Sequence, residues 1–216
     1  MYNPKQHEET RLDVLHALVR KYPLGTWVML GDGELLANHI PFLLDSTRGE
    51  FGTLVGHVAR ANPVWKIATQ PIPSTIIFQG PQTYISPSWY PSKHEHGKAV
   101  PTWNYAVVHA QGQPTFIEDN RWLFEHLGKL TDVHEASQAL PWKIDDAPPD
   151  FTAKLMDAIV GVEIPIQRIA GKWKTNQNRP EPDKFGVVAG LLGKGDQQSK
   201  AMAELVKQHI ETIPHE

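Results

Sequence analysis

A small antiparallel β-barrel with helices packed outside it, an α+β or mainly-β domain, is the fold class that the sequence predicts. Three observations predict it. The chain carries 18 prolines in 216 residues. Each interior proline costs a helix one hydrogen bond and clashes with the preceding turn, so a pure helical bundle is excluded. Short alternating apolar runs follow one another across tight turns through the first half of the chain. A helix does not follow most of these strands, so the βαβ alternation of a parallel sheet is missing.

Leu12, Leu15 and Val19, flanked by Val14 and Leu18, give residues 9–21 a helical stripe. Acids precede it, Arg20 and Lys21 close it, and Pro23 stops it. Residues 27–30 read as a strand, Gly31-Asp32-Gly33 as a turn, and 34–45 as the returning strand of a β-hairpin. A strand over 51–58 places Phe51, Thr53, Val55 and His57 on one face. Gly52 and Gly56 leave its other face bare, which suits close approach of backbone or ligand. An irregular stretch follows 59–63. Strands at 75–78 and 83–86 flank Gly80-Pro81, and 87–97 is a long loop. Residues 102–110 alternate again, with Trp103, Tyr105, Val107 and His109 on one face and Asn104, Ala106, Val108 and Ala110 on the other. Helices are predicted over about 119–135 and 151–160, then a strand at 162–166 running on towards Trp173. Two helices close the chain over 183–192 and 196–210, across Gly193-Lys194-Gly195. The whole of 1–216 reads as one domain with an N-terminal helix and a C-terminal helical extension over about 183–210.

Composition narrows the chemistry. Lys and Arg number 21 against 24 Asp and Glu, a net charge of −3 with His neutral, so global charge does not deliver the protein to nucleic acid. Cysteine is absent, which removes disulfides, thiolate nucleophiles, iron–sulfur clusters and Cys-based zinc sites. No apolar run reaches the roughly 18 residues that cross a bilayer. The first five residues lack a secretory pattern, and the cytoplasm is the expected location. Seven Trp and eleven His are unusual riches for this length, and both types suit flat aromatic ligands.

Several constellations could carry chemistry. Arg60 and Asn62, at the end of the strand that carries His57, would suit a phosphate beside free backbone N–H groups; the competing reading is a surface Arg and a turn-forming Asn-Pro. Trp103, Asn104 and Tyr105 could set rings beside a planar cofactor while Asn104 bonds its edge, or the aromatics could be ordinary core. Residues 172–179 gather Lys172, Lys174 and Arg179 with Asn176, Gln177 and Asn178 around Trp173, a segment able to hold an anionic, hydrogen-bonding ligand or to lie as a solvated basic loop. His94-Glu95-His96 has metal-ligand types but no third ligand, and it reads as an exposed polar loop. The last two helices look loosely like a helix-turn-helix. Residues 194–216 carry three Lys against four acids, however, where a recognition helix carries several cations for phosphates. An amphipathic packing helix is the better reading there.

Taken together, Met1-Tyr2-Asn3-Pro4, His39-Ile40-Pro41-Phe42, His57-Val58-Ala59-Arg60-Ala61-Asn62-Pro63, Phe78-Gln79-Gly80-Pro81, Tyr84-Ile85-Ser86-Pro87-Ser88-Trp89-Tyr90 and Val100-Pro101-Thr102-Trp103-Asn104-Tyr105 resemble the PaiB-type FMN-binding negative transcriptional regulators. The resemblance runs from the first residue to about 190. It implies a dimeric FMN-binding split β-barrel related to pyridoxamine-phosphate-oxidase-like flavoproteins, with repression of protease synthesis and sporulation genes as its named biology. One stretch departs from the pattern: Lys174-Thr175-Asn176-Gln177-Asn178 stands where the family tends to carry Lys-Leu-Ser-Gln-Asn. With the resemblance, His57, Arg60, Asn62, Trp103 and Asn104 become favoured site candidates. On this reading non-covalent FMN meets Arg60 and Lys174 through its phosphate, and Asn104, Gln177 and Asn178 through its ring edge. A cytoplasmic homodimer in flavin-linked control of transcription is the expected function, with direct DNA contact only weakly supported. A flavin-dependent reductase or oxidase using the same pocket is the enzyme alternative.

Overall fold

The computed structural model describes residues 1–31, 33–67 and 72–211. In chain order the elements are β1 (Glu8–Glu9), α1 (Leu12–Lys21), β2 (Leu24–Gly31), β3 (Glu34–Pro41), β4 (Leu43–Asp45) and β5 (Thr53–Ala59). Then come α2 (Val64–Ile67), β6 (Ser74–Ile85), α3 (Ser92–His96), β7 (Thr102–Gly112), β8 (Thr115–Ile117), α4 (Asn120–Glu135), α5 (Pro149–Asp157), β9 (Ile159–Lys174), α6 (Glu181–Lys194) and α7 (Gln197–Glu211). The strands form a nine-stranded antiparallel sheet in the order β3-β2-β6-β7-β9-β5-β4, with β1 and β8 both paired to β9. Among the described residues no helix is long and apolar enough to cross a membrane.

Contacts divide the chain into two compact units. One comprises Met1–Leu18, Gln79–Val108 and Ala170–Glu216, the other Val19–Phe78 and His109–Ile169. In the first, α6 and α7 bury Val187, Leu191, Met202 and Val206 around Ile85 and Tyr90. Gly190 is what admits Trp89 to this core, because a Cβ there would lie 2.3 Å from the indole Cδ2. α6 ends where Gly195 takes a left-handed conformation at φ 75°, the common glycine stop of a helix. The apolar faces of both helices are therefore spent on each other, as the charge pattern led us to expect. In the second unit Trp27, Phe42, Ile76 and Phe78 are fully buried. The Phe42 and Phe78 rings meet edge-on at 6.1 Å, an orientation favoured by the ring quadrupoles.

The structure departs from the sequence reading at instructive places. The first helix starts at Leu12, not Glu9, because the Glu9 carboxylate accepts from the backbone N and the guanidinium of Arg11 while Glu9 pairs across to β9. The expected strand over 34–45 breaks at Phe42, which is the last residue in register with β2, its N–H donating to Pro23 O at 2.9 Å, before the chain changes partner at Leu43. β3 then pairs with β2, and β4 with β5. Of the hairpin turn, Asp32 lies outside the described residues, as does 68–71 in the irregular stretch. Gly80-Pro81 is no turn: β6 runs straight through it. Gly80 serves close approach, since a Cβ there would meet Leu18 Cδ1 at 2.8 Å and Ala106 O at 3.1 Å. Gly56 likewise makes room for protein, its open face being covered by Phe42 and Ile40 at 3.2–3.3 Å. The 87–97 loop contains the short helix α3, which carries exposed His94, Glu95 and His96.

Candidate functional site

Two groups of candidate residues emerge, one in each unit. In the first unit β9 ends at Lys174 and the chain turns through Thr175 and Asn176. Asn176 takes φ 63°, a left-handed conformation that Asn tolerates better than most side chains. This turn drives Thr175 and Asn176 inward, and both are buried. The Asn176 carbonyl accepts from Asn104 Nδ2, and its own Nδ2 donates to the Tyr90 hydroxyl at 3.0 Å. Burial raises the Tyr90 phenol above its ordinary range. Gln177 braces the turn from within: its Oε1 accepts from Thr175 N at 2.9 Å and its Nε2 donates to Trp173 O. The same Oε1 lies 3.1 Å from His7 Nδ1, 170 residues away in sequence.

Beside this turn stand two ammonium groups. Lys172 is only 8% exposed. It donates to Tyr2 O at 3.0 Å and sits over the rings of Tyr2 and Tyr105 at 5.5 and 5.4 Å. Lys174 donates to the Thr102 hydroxyl at 2.7 Å. No ion pair among the described residues involves either lysine. Burial, with lesser repulsion from both lysines, pushes the His7 imidazole below its usual pKa, although its bond to Gln177 works the other way. Two buried polar atoms of the cluster, Asn104 Oδ1 and Thr175 Oγ1, have no hydrogen-bond partner among the described residues. Buried polar groups are nearly always satisfied in folded proteins, so both are free to meet a ligand.

The structure thus brings Asn104, Lys174 and Gln177 together. Trp103 points to the opposite face of β7, exposed, with its indole N–H donating to Gln82 Oε1 at 2.9 Å and its ring against Tyr84. Asn178 is exposed. His7, Thr175 and Lys172 join the cluster without having been singled out from sequence. Lys172 was visible as one cation of the basic segment, and Thr175 as a departure from the family pattern. His7 gave no local signal.

His57, Arg60 and Asn62 lie in the second unit. All three Arg60 nitrogens are engaged: Nε donates to Asp157 O at 2.7 Å, Nη1 to Glu118 at 2.5 Å and Nη2 to Ile159 O at 3.1 Å. A phosphate at this guanidinium would compete with a carboxylate and two carbonyls already in place. Asn62 donates to Asn38 Oδ1 at 2.6 Å and accepts from Val64 N at 3.0 Å, as the cap of α2. His57 Nδ1 lies 3.1 Å from Nε2 of His126. His126 stacks on Trp122 with ring centroids 5.2 Å apart, and the Trp122 indole donates to Glu163. Glu163 is held below its usual pKa chiefly by the hydrogen-bonded Arg48 guanidinium. Burial lowers both histidines, His126 to about 4.

An antiparallel sheet with peripheral helices packed against it is a fold shared with solved flavin-protein structures. Solved structures of that fold resemble the chain. The FAD and heme binding protein of Mycobacterium smegmatis matches with a TM-score of 0.59 and 16% identity, over 85% of this chain and 80% of that one. The flavocytochrome Anf3 of Azotobacter vinelandii matches at 0.57 and 17%, over 82% and 74%. The chain belongs to the family described as "Putative FMN-binding domain", whose model matches residues 1–168. Along the whole chain it is 30% identical to the protease synthase and sporulation protein PAI 2 of Bacillus subtilis, covering 97% of this chain and 98% of that one. FMN is accordingly its cofactor. The first-unit cluster fits that group: two uncompensated ammoniums match a phosphate, and an orphaned amide oxygen with an orphaned hydroxyl matches a ring edge carrying both N–H and C=O groups.

Proposed function

We propose that the protein binds FMN non-covalently at the Lys172–Lys174–Asn104 cluster and acts as a cytoplasmic homodimer in flavin-linked control of transcription. One observation carries the site: Lys172 is a buried ammonium with no carboxylate paired to it, and a buried charge is stable only when compensated. A phosphate supplies that compensation, and Lys174 adds a second donor. His7, kept neutral by burial, contributes a ring nitrogen instead of a third charge. Asn104 Oδ1 accepts an N–H and Thr175 Oγ1 donates to a carbonyl of the ring edge. Gln177 and Asn176 hold these groups in position, while Trp103 and Asn178 stand at the rim. Bound FMN supplies one- or two-electron transfer chemistry, and donors near the ring's pyrimidine end favour its reduced anion.

Arg60 takes a different part in this reading. It ties the end of β5 to the chain preceding β9, and Asn62 caps the short helix after it. The dimer is supported by the packed interior: Trp27, Phe42 and Phe78 fill the second unit, so a flavin lies outside the core, most readily in a groove shared by two subunits. The regulatory role is supported by the resemblance and by the Bacillus relative, whose name joins it to protease synthesis and sporulation. Helix α7 offers no support for direct DNA contact, because Met202, Ala203 and Val206 pack into the core with α6.

The site is tested by Lys172→Met, titrated with FMN and with riboflavin. One charge-assisted bond to the phosphate is worth about 1.5–3 kcal/mol, so FMN affinity falls about ten- to a hundredfold. Riboflavin, which has no phosphate, binds the variant as it binds the parent. Equal loss of both ligands overturns the phosphate assignment.

A further inference from the structure

The second unit contains a cavity of about 430 Å³ beneath α4 and α5, walled by Trp142, Ile144, Phe151, Leu155 and Ile159, with His57 also on its lining. No charged side chain lines it. Its size lies within the range of small-molecule sites, which pair apolar walls with a few polar groups. Two threonines, Thr131 and Thr152, also line it, and the Thr152 hydroxyl is spent on Pro148 O.

The hydrogen-bonded histidine pair fixes what His57 offers. His126 Nδ1 is buried and has no hydrogen-bond partner among the described residues. An orphaned N–H is rarer than an orphaned acceptor in folded proteins, so Nδ1 is the unprotonated nitrogen and the His126 proton sits on Nε2. That N–H donates to His57 Nδ1. A neutral His57 accepting at Nδ1 carries its own proton on Nε2. Nδ1 is the ring nitrogen of His57 that is bonded to protein among the described residues, which leaves the Nε2–H for a ligand.

We propose that this cavity is a second small-molecule site, separate from the flavin cluster, for an uncharged, largely aromatic compound bearing one hydrogen-bond acceptor, such as a ketone or quinone carbonyl. The apolar walls take the ring system, and the His57 Nε2–H takes the carbonyl. A carboxylate or phosphate is excluded, because the lining offers no cation to compensate it. His126 is a positioning residue, because it sets the tautomer of His57 from behind.

The test uses the full chain saturated with FMN and two probes of matched shape, 2-acetylnaphthalene with a carbonyl and 2-ethylnaphthalene without one. Ligand-observed NMR gives both affinities. The ketone binds about fivefold tighter, the weight of one net neutral hydrogen bond. His57→Phe removes that preference while the hydrocarbon still binds. Leu155→Trp, at an exposed wall position that folding tolerates, abolishes binding of both probes and leaves FMN affinity unchanged. Equal affinities in the parent, a preference that survives His57→Phe, or binding that survives Leu155→Trp overturns the site. Probe binding seen only without FMN also overturns it, because the cavity would then be the flavin's own. Failure of FMN to bind at Lys172 leaves these readouts intact, so the two assignments fail separately.

Discussion

Acidification from pH 7 to pH 5 is expected to destabilise the second unit through His126. This imidazole is 3% exposed, and burial is the largest cause of its low pKa, with the neighbouring His57 and Lys129 adding to it and Glu163 opposing it. The folded chain therefore takes up its proton near pH 4 and the unfolded chain near 6.5. Between those values the unfolded state binds more protons, so stability rises with pH. The contribution is fully present above pH 6.5 and fades as pH falls towards 4. At about 1.4 kcal/mol per pH unit, the loss by pH 5 is about 2 kcal/mol, and the whole interval amounts to about 3 kcal/mol. Urea midpoints at pH 7 and pH 5 measure it, with His126→Phe as the comparison. Phe keeps an aromatic ring against Trp122 but cannot titrate. The parent should lose about 2 kcal/mol more than the variant between the two pH values. Equal acid sensitivity would refute the assignment of a buried neutral imidazole.

Two further outcomes follow from packing. Gly161→Ala places a Cβ 2.2 Å from Cζ3 of Trp122, so the indole must shift off His126 and Glu163; thermal unfolding should show a loss of about 1–3 kcal/mol. Arg60→Ala strips donors from the Asp157 and Ile159 carbonyls and should cost about 1–3 kcal/mol in denaturant titration. Its effects on FMN and riboflavin affinity should be alike, and a loss confined to FMN would return Arg60 to the phosphate.

The antiparallel sheet and its flanking helices were legible because they rest on local signals. Asp119 caps α4 by accepting from Trp122 N at 2.7 Å, and alternation along β7 sorts Asn104, Ala106, Val108 and Ala110 onto its buried face. What stayed hidden depends on distant partners. Gly80 reads as a break between two strands and Gly56 as part of a bare face, but the atoms that fill their space belong to Leu18, Ala106, Phe42 and Ile40. Breakage of the second hairpin strand at Phe42 depends on the change of partner from β2 to the distant β5. Only part of the proposed flavin cluster could be assembled from sequence. Lys174, Gln177 and Asn104 carry the right chemistry in family motifs, but only the fold sets His7 against Gln177 and Tyr2 under Lys172. Arg60 shows the converse. Its residue type and strand-end position suit a phosphate, yet the fold had already given it a carboxylate and two carbonyls.

Each unit buries a basic group, His126 in one and Lys172 in the other, and their surroundings differ. At His126 desolvation by burial, with repulsion from His57 and Lys129, outweighs Glu163 and the indole face of Trp122, and the pKa falls to about 4. Lys172 is comparably buried, but two phenol rings and a backbone carbonyl face its ammonium. Ring faces attract a desolvated cation by about 2 kcal/mol or more, but none of these neighbours carries a negative charge to pair with it. On the proposed reading the phosphate of FMN is that partner. The chain as a whole carries a net charge of −3, so long-range steering cannot gather an anionic cofactor. On the proposed reading affinity comes from contact with buried Lys172 and half-buried Lys174, and salt screens such contacts less than those of a surface patch.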